Sequence, residues 1–422
     1  MIKANTKIKL NIDDGPIIFL GGMNAMPMMY AWELKKMGYE VIYFVDRPQN
    51  DTLSRPENHF PNIIYPYPDW IVEINLKTQI LLPFLVHIWG NYILKKIDKV
   101  SEKKPQLFVL NGFFISLGPF FVSKGIQVIA LSHGSDLDTW ADVENINTLS
   151  KSFSRKSFFK YFPIFFSKLL ISYIVKKQFN SLLCACAVIY FPKGFNSNGD
   201  RVIQKLQEQN VSVFERYDIS FEPLEGQNRD FKKRNGKLVI FSGVRFLYQT
   251  FPDGNEEYSK RNDIIIKGLA RFYKQYPEIE IHFVEKGEDV EAAKQLCEEL
   301  GLSSAIVWHK EMKFYELLKL YQQSDICFDQ VGKHWIGAIG GYALWLGKPL
   351  IANDERPVRQ GIWSINNPIL SAQSEVEVFK NLEYLKNDNF REAISLNSKK
   401  FVEEYMSPKK LLLEVFVFGK EI

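Results

Sequence analysis

The chain has 422 residues, 46% of them hydrophobic, which is enough to bury two separate cores, so two domains of roughly 200 residues each are expected. Lysine and arginine number 53 against 49 acidic residues, giving a net charge of +4. So weak an overall field argues against a nucleic-acid partner.

The predicted elements begin with a βαβ unit. Residues 16–20 are a short apolar strand, residues 27–37 a helix and residues 41–45 a second strand. Pro27 suits the first turn of that helix and Gly38 its end. The turn between the first strand and the helix has an anion-ready geometry and contains Gly21, Gly22 and Asn24.

Three later strands of the first half end in polar or glycine residues. They cover residues 107–110, 127–131 and 187–191, and the residues that follow are Asn-Gly, Ser-His-Gly and Pro-Lys-Gly. Ligands bind outside the carboxyl ends of the strands in doubly wound sheets. These strand ends are therefore candidate site positions.

A polar, charged stretch at residues 221–237 is the predicted interdomain linker. After it the alternation of strands and helices restarts. The predicted strands are 238–242, 280–284, 306–308, 326–328 and 350–352, the predicted helices are 263–276, 290–300, 315–323 and 341–346, and the tail from residue 374 is helical. This alternation predicts α/β domains with parallel, doubly wound, Rossmann-like sheets.

The stretch DQVGKHWIGAIGGYALWLGKP at residues 329–349 is the most informative. A buried strand at 325–328 leads into a glycine-rich turn and then a helix. That order aims free backbone N–H groups and the positive helix end at one point, as in sites that hold a phosphate or diphosphate. We interpret it as the donor end of a nucleotide-sugar site.

Four stretches in the second half then resemble the donor domain of retaining GT-B glycosyltransferases of family 4. They are SGVR at 242–245, KRNDIII at 260–266, VEKG at 284–287 and the 329–349 block, which ends in GKP and continues as LIA. The resemblance covers about residues 238–353. It implies two domains facing across a cleft, 1–220 for the acceptor and 221–404 for the donor, with a C-terminal helix at about 405–422 returning to the first.

In that family an arginine and a lysine after the first donor-domain strand hold the diphosphate. The matching residues are Arg245 and Lys260. The charge of the departing nucleoside diphosphate grows in the transition state, and fixed cations stabilise it. About twelve additional residues separate the two, and a solvated residue at a helix start is the alternative for Lys260.

The family usually carries two glutamates eight positions apart around the glycine turn. His334 and Tyr342 stand at those positions. Both can hydrogen-bond a hydroxyl, but neither offers the two strong acceptors of a carboxylate. A donor preference is therefore not carried over, and packing on the sheet is the alternative for Tyr342.

The resemblance implies further residues that contact the donor: Glu285, Lys310, Trp335, Gly337 and Ala338. An ordinary surface carboxylate is the alternative for Glu285.

The segment LSHGSD at residues 131–136 is similar to the family's His-Gly-x-Asp, whose histidine faces the donor sugar. His133 is the matching residue, and retaining transfer in this fold needs no protein nucleophile. Asp136 is expected on the acceptor side with Gly21, Gly22 and Asn24. The alternatives are a metal-binding D-x-D at Asp136 and Asp138, or a helix cap.

A basic, aromatic stretch predicts membrane contact. No acidic residue lies between Glu144 and Asp200, and apolar residues recur at helical spacing from 158 to 174. Basic residues beside an apolar stripe suit a helix in the headgroup region of an anionic leaflet, although packing on the sheet must use part of the stripe. The basic residues are Lys151, Arg155, Lys156, Lys160 and Lys168.

No membrane-spanning or export pattern is present. Apolar windows at 80–94 and 158–175 are interrupted by Pro, His or Lys and fall short of roughly 18 uninterrupted apolar residues. Residues 1–16 lack the plan of a secretory signal. The cysteines have no metal-ligand spacing and are expected to be buried thiols of a reducing compartment: Cys184, Cys186, Cys297 and Cys327.

The sequence therefore predicts a cytoplasmic, metal- and cofactor-independent hexosyltransferase at the inner face of the cell membrane. Its partners are a nucleotide sugar, a saccharide acceptor that is lipid-linked, and an anionic membrane surface, without nucleic acid. Two alternatives stay open: a nucleotide-sugar epimerase on the same fold, and a non-catalytic relative that binds and scaffolds.

Overall fold

The computed structural model describes residues 6–51, 54–60, 62–76, 78–156, 161, 163–217, 227–233, 236–251, 256–333 and 336–419. The chain divides into two compact units. Unit 1 comprises Met1–Asp218 and Pro408–Ile422, and unit 2 comprises Ile219–Ser407. The predicted boundary at 220/221 lies outside the described residues.

Unit 1 contains a parallel sheet of seven strands. Their bounds are β2 Ile17–Leu20, β3 Val41–Val45, β4 Ile71–Glu73, β5 Leu107–Leu110, β6 Gln127–Leu131, β7 Ala187–Tyr190 and β8 Ser212–Glu215. The order across the sheet is β4-β3-β2-β5-β6-β7-β8, and every neighbouring pair is parallel. All seven carboxyl ends therefore lie at one edge.

Helices cover both faces of this sheet. Ile17 and Phe19 belong to one core, whereas Ile18 and Leu20 belong to a second. Successive side chains of a strand point to opposite faces, so each face carries its own core. The helices are α1 Met26–Lys36, α2 Val86–Ile97, α3 Gly118–Ser123, α4 Ser135–Asp138, α5 Ile146–Lys156, α6 Ile164–Leu183 and α7 Ser197–Glu208.

A small second ladder joins distant parts of unit 1. β1, at Ile8–Leu10, pairs in parallel with a strand at Phe416–Phe418, and the helix Pro408–Val415 before that strand packs against α1. The prediction of a purely helical tail is wrong at this point. A three-residue strand is too short to show an alternating pattern, and only its distant partner stabilises it.

Unit 2 contains a parallel sheet of six strands. They are β9 Leu238–Ser242, β10 Ile279–Val284, β11 Ile306–His309, β12 Ile326–Phe328, β13 Leu350–Ala352 and β14 Ile369–Ser371, and the terminal strand Phe416–Phe418 of unit 1 is β15. The order across the sheet is β11-β10-β9-β12-β13-β14. Neighbouring strands are again parallel.

The helices of unit 2 pack around this sheet. One core joins strand residues such as Ile240, Ile281 and Phe328 to Ile265 and Val378 of two helices that pack on each other. The helices are α8 Asn262–Gln275, α9 Val290–Glu299, α10 Phe314–Gln323, α11 Ala338–Trp345, α12 Glu355–Arg359, α13 Glu375–Tyr384 and α14 Asp388–Tyr405, while Pro408–Val415 of unit 1 is α15.

Two of the cysteine predictions are wrong. Cys297 and Cys327 are buried, but Cys184 and Cys186 are exposed. The latter pair lies where α6 ends and β7 begins, so a surface turn interrupts the apolar run there. Within the described ranges, no helix is long and apolar enough to cross a membrane.

Candidate functional site

The residues predicted to bind the donor follow the carboxyl ends of the unit 2 strands. Arg245 lies three residues after β9, Glu285 directly after β10, and Lys310 directly after β11. Asp329 directly follows β12. Because the strands are parallel, these side chains start from the same edge of the sheet, the edge at which doubly wound sheets bind ligands.

The glycine turn before α11 is capped by the protein's own carboxylate. Asp329 Oδ2 accepts hydrogen bonds from the backbone N–H groups of Gly337 at 2.6 Å and Gly340 at 3.0 Å. Asp329 is buried, and buried polar atoms need partners. The prediction that this turn presents free N–H groups to an anion is therefore wrong for Gly337 and Gly340.

Gly340 is required for this contact. A Cβ on Gly340 would lie 2.6 Å from Asp329 Oδ2, closer than any unstrained contact. Ala338 is the first residue of α11. His334 and Trp335 lie outside the described residues.

Lys260 interacts electrostatically with both Asp329 and Arg245. Its Nζ donates to Gln330 Oε1 at 2.5 Å. Burial lowers the pKa of Lys260, Asp329 works to raise it, and repulsion by Arg245 lowers it further. The two cations of the sequence prediction therefore lie near enough to repel each other.

The loop before α8 fixes the position of Lys260. Its backbone N–H donates to Leu247 O at 2.7 Å, and its carbonyl accepts from Val331 N at 3.3 Å. A Cβ on Gly332 would lie 1.9 Å from Ser259 O, so only glycine allows this approach. The segment inserted between Arg245 and Lys260 is thus tied to the loops after both β9 and β12.

Arg245 presents its charge outward. Its side chain is exposed, and among the described residues it has no hydrogen bond or ion pair. Gly287, at φ +110°, makes room for it, because a Cβ there would lie 2.5 Å from Arg245 Cγ and 2.3 Å from Phe246 O. Gly287 of the VEKG stretch therefore leaves the space that the side chain of Arg245, in the SGVR stretch, occupies.

Asp289 organises the loop after Arg245, and the sequence reading missed it. Its carboxylate accepts from the backbone N–H groups of Tyr248, Gln249 and Thr250 at 2.6 to 3.1 Å. Burial raises the pKa of Asp289, but these hydrogen bonds together lower it by more, so its pKa is below the ordinary value. No motif marks such a long-range cap.

A cavity of about 690 Å³ opens at this edge of the unit 2 sheet. Its walls come from the loops after β9, β12, β13 and β14. Its lining includes Gln249, Ser259, Arg261, Gly332, Lys333 and Asn353. A second cavity of about 340 Å³ lies beside the amino ends of β12 and β13, against Ser324 and Lys348, and none of the predicted site residues is in its lining. We give the first cavity more weight because it adjoins Lys260.

Glu285 and Lys310 are each other's partner. The Lys310 ammonium bonds Glu285 Oε2, and Lys294 Nζ lies 3.3 Å from Glu285 Oε1. The hydrogen bond from Lys310 is the main cause that lowers the pKa of Glu285. A ligand that uses either side chain must open this pair.

Tyr342 lies inside unit 2. It is 5% exposed, and its ring centroid lies 4.5 Å from that of Phe314. This placement favours the packing alternative for Tyr342.

In unit 1, His133 follows β6 and contacts the residue that follows β5. Asn111 Nδ2 lies 2.6 Å from His133 Nδ1, while Asn111 Oδ1 accepts from Met23 N at 3.4 Å. Nδ1 also lies 3.3 Å from Leu131 O, to which it would donate. As the acceptor of the Asn111 amide, Nδ1 leaves the proton on Nε2. Nε2 is buried and has no partner in the described part of the chain.

Asp136 uses its oxygens within unit 1. It accepts from Ser132 Oγ at 2.5 Å, from Gly112 N at 3.0 Å and from His133 N at 3.2 Å. Asp138 accepts from Tyr190 Oη at 3.0 Å. Asp136 and Asp138 lie inside α4, whose cap residue is Gly134 and which has no side-chain cap hydrogen bond, so the capping alternative is wrong for this helix. The described residues contain no group of three side chains suited to a metal ion.

Arg216 is a buried cation that the sequence reading missed. It directly follows β8 and donates from Nη1 to Ser132 O at 3.1 Å. Burial lowers the pKa of Arg216 to about 10. The pKa of His133 is well below its usual value, mainly because the imidazole is buried and also because Arg216 is positively charged. The resemblance selected His133, whereas the rule that sites follow strand ends could have selected Arg216.

The turn after β2 takes left-handed conformations. Gly21 has φ +95° and Asn24 φ +52°. Asn24 N donates to Ser54 Oγ at 3.2 Å. A Cβ on Gly21 would lie 2.5 Å from Asn111 O, so the turn presses against the residue that also contacts His133.

Unit 1 exposes apolar side chains on the turn Gln79–Phe84, on α6 and on residues close to them in the chain. The turn Gln79–Phe84 and α6 are joined by the stacked rings of Phe84 and Tyr173, whose centroids lie 4.7 Å apart. We call this the aromatic face, and its exposed members are Leu81, Phe84, Ile88, Tyr161, Ile164, Phe165, Phe166, Leu169 and Tyr173.

The predicted basic residues border this region only in part. Lys151 and Lys168 are exposed. Arg155 and Lys156 belong to α5, but their side chains, and Lys160 as a whole, lie outside the described residues.

No family model and no curated protein matches the chain. Solved structures are similar over nearly its whole length. A glycosyltransferase from Rickettsia africae ESF-5 gives a TM-score of 0.56 at 13% identity, covering 95% of this chain and 97% of the other. Anabaena HepE in complex with UDP gives 0.55 at 12% identity, with the same coverages of 95% and 97%.

A putative UDP-N-acetylglucosamine 2-epimerase from Listeria monocytogenes gives a TM-score of 0.55 at 10% identity, covering 96% of this chain and 94% of the other. At such identities the likeness establishes the fold alone. The fold is GT-B, built on parallel sheets of seven and six strands, and the fold class predicted from the sequence is confirmed.

Proposed function

We propose that the chain is a glycosyltransferase that moves a hexosyl unit from a nucleotide-diphosphate sugar to a saccharide acceptor, with retention of configuration. One observation carries the proposal. Arg245 holds an exposed cation without a partner in the described residues, and Lys260, at the same sheet edge, is near enough to feel its charge. Two cations that repel each other are suited to share an anion.

The diphosphate of the donor is that anion. As the glycosidic bond to the donor phosphate breaks, negative charge grows on the leaving group, and prearranged cations stabilise it. A bound diphosphate also relieves the repulsion between Arg245 and Lys260. By the sequence resemblance, transfer needs no protein nucleophile, and the leaving diphosphate accepts the proton of the attacking hydroxyl.

His133 is assigned to the donor sugar by the sequence resemblance. A neutral imidazole with a proton on Nε2 can donate to a sugar hydroxyl without adding a charge. Burial and Arg216 both favour that neutral form. This assignment stays a prediction.

A melting-temperature screen tests the donor assignment. The purified chain is heated with UDP, GDP, ADP and CMP sugars, and a ligand at a hundred times its dissociation constant stabilises the folded state by roughly 2.7 kcal/mol. We expect one nucleotide class to raise the melting temperature in the wild type and to do so far less in Arg245→Ala. Absence of any shift would favour a non-catalytic scaffold.

An epimerase is the second candidate, because a putative epimerase has the same degree of structural similarity as the glycosyltransferases. An epimerase converts its nucleotide sugar without an acceptor. Incubation of the nucleotide sugar with the chain alone, followed by NMR of the sugar protons, separates the two activities.

The proposed acceptor is lipid-linked, and the proposed location is the inner face of the cell membrane. The aromatic face supports this part of the proposal, since exposed apolar side chains on neighbouring elements are typical of membrane interaction sites. Exposed Lys151 and Lys168 add charge that suits an anionic leaflet.

A further inference from the structure

A further cavity, of about 360 Å³, opens at the opposite edge of the unit 2 sheet. Its lining includes Leu238 and Ile279, the first residues of β9 and β10, and none of the predicted site residues. We call it the amino-edge cavity, because the parallel strands place their amino ends here and their carboxyl ends at the donor edge. Small-molecule sites usually have volumes of about 300 to 1,000 Å³, so this cavity is large enough for a ligand of its own.

One wall of the amino-edge cavity is apolar and aromatic. Phe272 and Tyr276 lie one turn apart at the carboxyl end of α8, with ring centroids 4.9 Å apart. Pro277, Leu238 and Ile279 extend this wall. Aromatic side chains contribute large apolar contact areas and pack well against other rings, so the wall favours a flat apolar group.

A buried arginine also lines this cavity. Arg391 of α14 is 3% exposed. Its Nη1 donates to Leu385 O and its Nη2 to Asp388 Oδ1, whereas Nε has no hydrogen-bond partner in the described ranges. A buried donor without a partner is rare in folded proteins and needs an explanation. An acceptor that enters the cavity from outside supplies one.

Two exposed lysines of the lining add positive charge. Lys386 Nζ lies 3.3 Å from the centroid of the Tyr276 ring, and neither Lys386 nor Lys237 has an ion pair in the part of the chain that the structure describes. The acidic residues of the lining are Glu278 and Asp388, and the second of these is bound to the buried arginine. Three cations against two carboxylates favour a ligand with one negative charge.

We propose that the amino-edge cavity binds a small planar apolar molecule that carries one carboxylate. The planar group packs on the aromatic wall, and the carboxylate accepts a hydrogen bond from Arg391 and lies near Lys237 and Lys386. Charge-assisted hydrogen bonds of this kind are among the strongest that a protein makes to a ligand. A nucleoside diphosphate fits poorly, because the two carboxylates of the lining repel its additional charges.

This ligand is distinct from the donor of the proposed function. α8 runs from Asn262, two residues after Lys260, to Gln275, which lines the amino-edge cavity. At 1.5 Å of rise per residue, these 14 residues span about 21 Å. An occupant of the cavity therefore lies at the far end of the helix from Lys260, so the inference goes beyond the proposed function and does not depend on it.

The experiment is a saturation-transfer NMR titration of the full chain with 2-naphthoate and with its neutral amide, 2-naphthamide. The two probes share one ring system and differ in charge, and we expect 2-naphthoate to bind at least tenfold more tightly. Lys237→Gln combined with Lys386→Gln should lower the affinity for 2-naphthoate about tenfold and leave that for 2-naphthamide unchanged. Lys274→Gln combined with Lys380→Gln, which changes two exposed lysines outside the lining, is the matched control.

These four lysines are exposed, so the melting temperatures of both double variants should equal that of the wild type. Tyr276→Ala removes part of the aromatic wall and should weaken the binding of both probes. Arg245→Ala should leave 2-naphthoate binding unchanged, and a loss of binding there would place the probe at the donor edge and overturn the inference. Equal affinities for the two probes, or unchanged 2-naphthoate affinity in the Lys237 and Lys386 double variant, would overturn it as well.

Discussion

The carboxylate of Asp329 and the backbone N–H of Gly337 are joined by a hydrogen bond of 2.6 Å. The turn before α11 is therefore closed by an internal anion. Under the proposed function, a bound diphosphate would then have to be neutralised by side-chain cations, above all Arg245, which changes the mutational expectations for this edge.

Asp329→Ala should destabilise the chain. It removes the acceptor of two backbone N–H groups at the start of a helix, and loss of such a cap costs about 1–2 kcal/mol. Urea denaturation measures the change, with the exposed Glu298→Ala as control. An unchanged unfolding midpoint would show that the cap contributes nothing.

Arg245→Ala should lower turnover a hundredfold or more, the scale of losing one well-aimed charge contact of about 3 kcal/mol. Stability should stay the same, because the side chain is exposed and makes no polar contact in the described ranges. Arg359→Ala, which removes a 71% exposed side chain, is the matched control. Full activity in Arg245→Ala would remove this residue from the mechanism.

Gly287→Ala should weaken nucleoside-diphosphate binding at least tenfold, because the new methyl group displaces the Arg245 stem. Gly301 also has a positive φ, of +75°, but nothing lies within 4 Å of its Cβ position. Gly301→Ala therefore reports backbone strain alone, about 1 kcal/mol. Calorimetric titration of both variants distinguishes displacement from strain, and equal affinities would contradict the assigned role of Gly287.

Arg216 should control the protonation of His133. Arg216→Gln removes a positive charge and should raise the pKa of His133 towards 6.5, whereas Arg216→Lys keeps the charge and should leave it low. Because the folded-state pKa is depressed, the unfolded chain binds more protons below pH 6.5, and His133 makes stability fall as pH decreases through that range. NMR titration of the imidazole, assigned with His133→Gln, measures the shift, and equal values in both variants would rule out the coupling.

Phe165→Ser combined with Leu169→Ser should weaken sedimentation with anionic phosphatidylglycerol vesicles at low salt. Both side chains are more than half exposed on the aromatic face, and apolar burial drives such binding. Lys168→Gln should weaken the free energy of vesicle binding by on the order of 1 kcal/mol and make vesicle binding less sensitive to salt. Ile365→Ser, which changes an 82% exposed residue of unit 2, is the control, and vesicle binding equal to wild type in the double variant would contradict membrane docking.

Strong local patterns were predictable from the sequence. Apolar runs such as residues 41–45 and 107–110 are strands with the predicted bounds, because parallel strands buried on both faces are apolar throughout. The family resemblance selected Arg245 and His133, which follow strands of their sheets, and their roles stay predictions. The outer strands β4, β8 and β14 were missed, since three or four residues at a sheet edge leave little pattern.

Long-range choices between partners were not predictable. A glycine turn before a helix favours an anion at that point, but the sequence does not show whether that anion is a bound ligand or the carboxylate of Asp329. Asp46 directly follows a strand that was predicted correctly, yet its hydrogen bond from the Gln79 amide joins residues 33 positions apart, which no local pattern shows. The same applies to Asp289, whose partners lie about forty residues away.

The pairing of β1 with β15 also determines the order in which the molecule can be completed on the ribosome. Ile8–Leu10 are among the first described residues to be synthesised, but their ladder partner Phe416–Phe418 follows every residue of unit 2. During translation β1 therefore lacks the hydrogen-bond partners that β15 provides until unit 2 has been synthesised.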